Sequence, residues 1–172
     1  MTATTLFYII IAILIINFIV DKILDTLNAK HFNDELPPEL KDVYDEAEYK
    51  KSQAYKKANQ QFSNYTSAFS LVLTLLFFFL DGFEYVDNIA RHYSNNSIVI
   101  ALIFFGIIML ASDILTTPFA YYKTFVIEEK FGFNKMTIKT FILDKIKGWI
   151  MMGIIGGGLL ALVIWFYNIT GT

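Results

Sequence analysis

The 172-residue sequence contains no cysteine, only two histidines and, among its 14 basic residues, a single arginine. Without cysteine it has no disulfide, no thiolate nucleophile and no cysteine-ligated zinc or iron–sulfur site. His31 and His92 lie far apart, and no His-Glu-x-x-His pattern occurs, so the sequence contains no two-histidine helical zinc site. Both histidines are expected to be solvated or to cap helices. The net charge of −2 gives no basic field that would attract nucleic acid.

Charge is also scarce along much of the chain, which is 55% hydrophobic with a mean hydropathy of +0.49. Four stretches contain no Asp, Glu, Lys or Arg, and each is about as long as a helix that crosses a bilayer. This pattern excludes an ordinary soluble enzyme and a disordered chain. It predicts an all-α, polytopic membrane protein that forms a single domain over residues 1–172. The predicted spans are about 5–20, 65–80, 98–115 and 149–167.

The basic residues are distributed unevenly over the connections between these spans. The connection 21–64 carries seven and the connection 116–148 carries six, whereas the short loop 81–97 carries only Arg91. By the positive-inside rule both long connections are cytoplasmic, and both chain termini lie on the other side. We expect a bacterial cytoplasmic membrane from the Lys-, Ile- and Asn-rich composition, or the endoplasmic reticulum if the source is eukaryotic.

Two features of the long connections bear on secondary structure. From Glu39 onward apolar residues recur at near-helical spacing, which predicts one long helix that continues into the second span. Its outer half would be amphipathic and extend into the cytoplasm. In the second connection, Pro118 follows two threonines and is expected to end the third span, because proline disfavours continued helix.

Several polar residues and glycines are candidates for function. Asp113 at the end of an apolar run is either an interfacial structural residue or part of a polar cavity. Glu128 and Glu129 are adjacent, so they cannot face the same way on a helix and are interpreted as part of a helix cap and salt-bridge cluster. Gly132 and Asn134 indicate a helix end. In the last span, Gly153 and Gly157 form a G-x-x-x-G face that is suited to packing against another helix.

Three strings together carry a family resemblance: YKKSQAY at 49–55, PFAYYKTFVIEEKFGFNKMT at 118–137 and FILDKIK at 141–147. In this order and spacing the sequence resembles the N-terminal membrane domain of the type I CAAX prenyl proteases, which are integral-membrane zinc metallopeptidases. The core I-E-E-K-x-G-F-N with its P-F-x-x-Y lead-in is the most specific part. The resemblance covers residues 5–167.

The resemblance implies a ring of seven helices around a water-filled chamber, into which a zinc site of two histidines and a glutamate faces. It also implies cleavage of the last three residues after a prenylated cysteine. This sequence lacks the zinc-binding segments, so we predict that it forms chamber wall and has no peptidase activity by itself. Zinc is implied only for the full-length family, and the expected partners are the lipid bilayer and a separate or downstream catalytic segment. By this resemblance, the residues expected to orient the loop at the chamber are Glu128, Glu129, Lys130, Asn134 and Asp144.

Three origins stay open for such a sequence: a truncated or split gene, an excised domain, or a non-catalytic relative. A different class of function is also open. The absent zinc motif and the glycine pair Gly153 and Gly157 are compatible with a non-enzymatic membrane scaffold that acts through helix association.

Overall fold

A computed structural model describes residues 2–30, 32, 36 and 45–171 of the chain. Within them, four helices are long and apolar enough to cross a membrane, which confirms the predicted all-α, four-span membrane fold. The helices are α1 (Ala3–Ala29), α2 (Glu46–Phe79), α3 (Gly82–Tyr93), α4 (Ser97–Phe131) and α5 (Ile138–Thr170), of which α3 is the short one.

Residues 3–20 of helix α1 contain no charged side chain, as is typical of a helix that crosses a bilayer. Thr2 caps its first turn by accepting a hydrogen bond from the backbone N–H of Thr5 at 3.2 Å. Ile11 is buried, whereas Tyr8 and Ile16 are more than half exposed. Such exposure would be costly in water and is favourable in hydrocarbon.

Helix α2 is one continuous helix of 34 residues. Asp45 caps its start, because its carboxylate accepts hydrogen bonds from the N–H groups of Ala47 and Glu48 at 2.7 and 3.2 Å. The continuity into the second span is as predicted, while the expected start at Glu39 and the residue His31 lie outside the described residues. The cytoplasmic, amphipathic character of its outer half stays a prediction.

The expectation of a loop over 81–97 is wrong, because α3 occupies most of it. The turn-forming residues lie only at its two ends, and the apolar residues between them have helical spacing. Phe83 packs edge-on against Phe77 with ring centroids 4.8 Å apart, and Val86 and Ala90 are buried. Tertiary packing of this face stabilises a helix that the turn signals obscured.

The expectation that Pro118 ends the third helix is also wrong, because α4 continues through it. Proline lacks the N–H that would bond the carbonyl of Ile114, and the hydroxyls of the two preceding threonines bond other carbonyls of the helix. The hydroxyl of Thr116 donates to the carbonyl of Ser112 at 2.9 Å, and that of Thr117 donates to the carbonyl of Asp113 at 2.6 Å. The predicted connection 116–148 is therefore mostly helical.

Helices α4 and α5 each contain a π-helical segment, Lys123–Glu128 in α4 and Met152–Gly156 in α5. Such wider turns are rare and are often found at functional sites. Helix α4 ends where Gly132 adopts a left-handed conformation with φ of +76°, as the sequence indicated. Thr137 then caps α5 by accepting from the N–H of Thr140 at 3.2 Å.

The chain forms two compact units, which are described separately. The first contains the residues up to Leu76 together with Tyr121–Asn134, and the second contains Phe77–Ala120 and the residues from Lys135 onward. The polar loop and cavity candidates of the sequence lie at the 128–134 turn in the first unit and around Asp113 in the second.

Candidate functional site

The first cluster is the 128–134 turn, which follows the π-helical segment of α4. The carbonyl oxygen of Glu128 accepts hydrogen bonds from the N–H groups of Phe133 and Asn134 at 2.8 and 3.3 Å. The N–H of Gly132 donates to the carbonyl of Glu129 at 3.0 Å. These bonds close the end of α4 in the manner of a glycine cap.

Side chains of the 128–134 turn reinforce this arrangement. The amide nitrogen of Asn134 donates to the carboxylate of Glu129 at 2.8 Å, and the ammonium of Lys130 lies 5.6 Å from the ring of Phe131. None of the described residues forms an ion pair with Glu128, Glu129 or Lys130. The expected salt-bridge cluster is therefore replaced by the amide contact between Asn134 and Glu129.

Helix α2 holds the 128–134 turn through two residues that the sequence analysis did not single out. The ring of Tyr55 packs edge-on against Phe131 and Phe133, with centroid distances of 5.3 and 4.8 Å. The ammonium of Lys51 lies over Phe133 at 5.6 Å. Lys51 and Tyr55 are four residues apart and therefore share one helix face, a spacing already present in the string 49–55.

The second cluster is centred on Asp113 in the other unit. One carboxylate oxygen accepts from the ammonium of Lys145 at 2.6 Å, and the other accepts from the indole N–H of Trp149 at 2.8 Å. Lys145 and Trp149 are four residues apart on α5, so both donors project from one face. This carboxylate clamp joins α4 to α5, and its Asp113 and Lys145 side chains are 32% and 24% exposed.

The carboxylate clamp borders an open groove of about 470 Å³. Asp144 also lines this groove, where its carboxylate lies 3.7 Å from the ammonium of Lys147. Most of the remaining wall is apolar, with Phe141, Trp149 and Met152. Asp113 therefore links two helices and lines this groove, while its place at the membrane interface and a polar cavity around it stay predictions.

Comparison with known proteins identifies the family. Residues 25–172 match the family described as "CAAX prenyl protease N-terminal, five membrane helices". The chain belongs to the CAAX prenyl protease family. It is homologous to the N-terminal membrane part of these zinc metallopeptidases, as the three strings indicated.

Individual relatives agree with this assignment. The "CAAX prenyl protease 1 homolog" of Dictyostelium discoideum is 34% identical over 161 residues, which cover 91% of this chain and 36% of the relative. "CAAX prenyl protease 1" of Saccharomyces cerevisiae is 32% identical over 144 residues, which cover 78% of this chain and 32% of the relative. The crystal structure of S. mikatae Ste24p superposes with a TM-score of 0.87 and 32% identity over 94% of this chain and 39% of that one. The chain spans about a third of the length of these relatives.

A zinc centre needs at least three nitrogen, sulfur or carboxylate donors close together. Among the described residues, no group of three His, Cys, Asp or Glu side chains could hold a metal ion. His92 is exposed on α3, with its ring 5.4 Å from that of Tyr93. The described residues therefore do not fit a zinc site.

The glycine pair on α5 is only partly engaged within the chain. A Cβ atom at Gly157 would lie 3.5 Å from the side chain of Leu102, so α4 approaches α5 closely there. A Cβ atom at Gly153 would meet no heavy atom of the described residues within 4 Å. Packing of the pair against another helix stays a prediction.

One further polar contact of the first unit was missed by the sequence analysis. The ammonium of Lys22 near the end of α1 donates to the side-chain oxygen of Asn64 on α2 at 2.7 Å and to Asp25 at 3.1 Å. This contact between α1 and α2 joins residues 42 positions apart. No spacing rule within one helix could have found it.

Proposed function

We propose that this chain forms part of the chamber wall of a CAAX prenyl protease-like zinc metallopeptidase and is inactive without a zinc-bearing catalytic segment. The observation that carries the proposal is the superposition on S. mikatae Ste24p over 94% of the chain. The lack of a metal-holding group among the described residues supports the second part. As substrates we propose peptides that end in a prenylated CAAX sequence, in line with the relatives' names, or alternatively other membrane-associated peptides.

Within this function, the 128–134 turn and Asp144 orient the cytoplasmic side of the chamber. The support comes from the way the turn is built: its backbone is closed on Glu128 and its aromatic residues are held by Tyr55. A turn fixed in this way can present Glu129, Lys130 and Asn134 in one orientation to a neighbouring segment.

The direct test combines the chain with a zinc-bearing segment taken from a relative. The chain is co-expressed with the portion of the S. cerevisiae relative that lies outside the region matched here, and membranes are assayed with a farnesylated CAAX peptide. Either half alone should release no tripeptide, and the pair should release it in a chelator-sensitive manner. Cleavage by the chain alone would contradict the proposal.

The same preparation separates the proposal from a scaffold function. Co-purification of the two halves is expected, and a Tyr55→Ala chain should lower cleavage several-fold, whereas the exposed Tyr65→Ala should not. A chain that forms homo-oligomers sensitive to Gly153→Leu, and never binds the catalytic half, would instead identify a helix-association protein.

We also propose that residues 21–64 and 116–148 face the cytoplasm and that both termini face the other side. The support is the imbalance of basic residues, thirteen against the single Arg91. Because the chain has no cysteine, Lys56→Cys and Asn96→Cys each create a unique thiol. In sealed cells a membrane-impermeant maleimide should label Asn96→Cys and spare Lys56→Cys; the reverse pattern would invert the topology.

A further inference from the structure

The short helix α3 divides into two distinct faces. At about 100° per residue, its apolar residues fall within one half of the helix circumference and its polar residues fall within the other. The apolar face consists of Phe83, Tyr85, Val86, Ile89, Ala90 and Tyr93, and the polar face consists of Glu84, Asp87, Asn88, Arg91 and His92.

Only part of the apolar face is covered by the protein. Val86 and Ala90 are buried, and Phe83 packs against Phe77 and Phe104. Tyr85 and Tyr93, by contrast, are 69% and 74% exposed. Together with Ile89 they form a stripe at four-residue spacing along one side of the apolar face, beside the packed residues.

The position of α3 relative to the bilayer follows from its short connections. Two residues separate it from the end of α2, and three separate it from the start of α4. Three residues reach at most about 11 Å. Since α2 and α4 are both candidate spans, α3 is held at the membrane surface where these two helices end.

We propose that α3 is an interfacial helix that binds the phospholipid headgroup layer through Tyr85, Ile89 and Tyr93. An exposed tyrosine ring suits this layer because its body is apolar and its hydroxyl is polar. The packed part of the apolar face anchors α3 to the protein, and the tyrosine edge extends sideways into lipid. The polar face lies in water.

The charges of α3 specify the kind of lipid. Arg91 donates from Nε to the carboxylate of Asp87 at 2.6 Å, and this hydrogen bond raises the pKa of the guanidinium above its ordinary value. The pair is closed within the helix, and Glu84 leaves α3 with a net negative charge when His92 is neutral. The binding therefore depends on zwitterionic headgroups and apolar contact, without attraction to anionic lipid.

The test uses the cysteine-free chain with one introduced thiol at a time, labelled with a nitroxide and reconstituted in phosphatidylcholine vesicles. Depth is read from the relative accessibility of the label to oxygen and to a water-soluble nickel complex. Tyr85→Cys and Glu84→Cys are the matched pair: they are adjacent in sequence and about 100° apart around the helix, so Tyr85 lies on the apolar face and Glu84 at the middle of the polar face. Phe105→Cys in α4 and Lys56→Cys in α2 serve as hydrocarbon and water references.

The label at Tyr85→Cys should report a depth between the two references, and the label at Glu84→Cys should resemble the water reference. Adding phosphatidylserine to the vesicles should leave both depths unchanged. Equal, water-like values at Tyr85→Cys and Glu84→Cys would overturn the proposal. So would a Tyr85→Cys label shielded from both reagents, which would indicate cover by protein. A hydrocarbon reading at Phe105→Cys verifies that the spans have inserted.

Discussion

At the scale of the residue, Asp113 is stabilised in an apolar helix because both of its carboxylate oxygens have donors on α5. We predict that Asp113→Leu lowers the free energy of unfolding by about 2 kcal/mol, since it leaves the Lys145 ammonium without its partner in a poorly solvated place. The measurement is unfolding in mixed detergent micelles. Asp144→Leu, at a more exposed carboxylate whose nearest ammonium is 3.7 Å away, is the matched control and should change little.

A double-mutant cycle tests the pairing itself. If Asp113 and Lys145 act as one clamp, removing both with Asp113→Leu and Lys145→Leu should cost clearly less than the sum of the single losses. Additive losses would show that the two side chains stabilise the fold independently, contrary to this account.

Gly82 provides a second prediction at this scale. A Cβ atom there would lie 2.5 Å from the ring of Phe77, so Gly82→Ala must displace a ring that packs against Phe83. We expect a loss of about 1–3 kcal/mol in unfolding free energy, as for other overpacked sites. Gly106→Ala is the matched control, because its Cβ would meet no described atom within 4 Å. Equal stability of both variants would contradict the packing described at α3.

At the scale of the element, the spans could be predicted because about 20 apolar residues in a row have few alternatives to a membrane helix. The ends of the helices were harder to predict from the sequence. Pro118 was expected to end α4, and only the structure shows that the helix continues through it, with the hydroxyls of Thr116 and Thr117 bonded to carbonyls of the preceding turn. Helix α3 was missed because turn residues surround it, and the packing of its Phe83 on Phe77 and Phe104 is a tertiary feature that local turn signals do not show.

The contact between α2 and the 128–134 turn is tested by amide exchange. In Tyr55→Ala, the N–H groups of Phe133 and Asn134 should exchange about five- to tenfold faster, because two edge-on ring contacts worth about 1 kcal/mol in total are lost. Tyr65→Ala removes the same ring from an exposed position of the same helix and should leave these amides unchanged. Unchanged exchange in Tyr55→Ala would mean that the turn holds its conformation without α2.

At the scale of the whole molecule, the fold class and family were predictable, because hydropathy and three short strings are local properties of the sequence. The clusters that organise the candidate site were not, since Lys22 with Asn64, and Asp113 with Lys145 and Trp149, meet only in three dimensions. Asp113 was recognised as unusual from its apolar surroundings, but its partners could be named only from the structure.

The central claim is that this integral membrane chain supplies the wall of a CAAX prenyl protease and another segment supplies its zinc. Zinc content measured by mass spectrometry on purified, detergent-solubilised protein tests it most directly. The chain alone should contain no zinc above the buffer level, and its complex with the catalytic half of the S. cerevisiae relative should contain about one zinc per complex. Stoichiometric zinc in the chain alone would contradict the account.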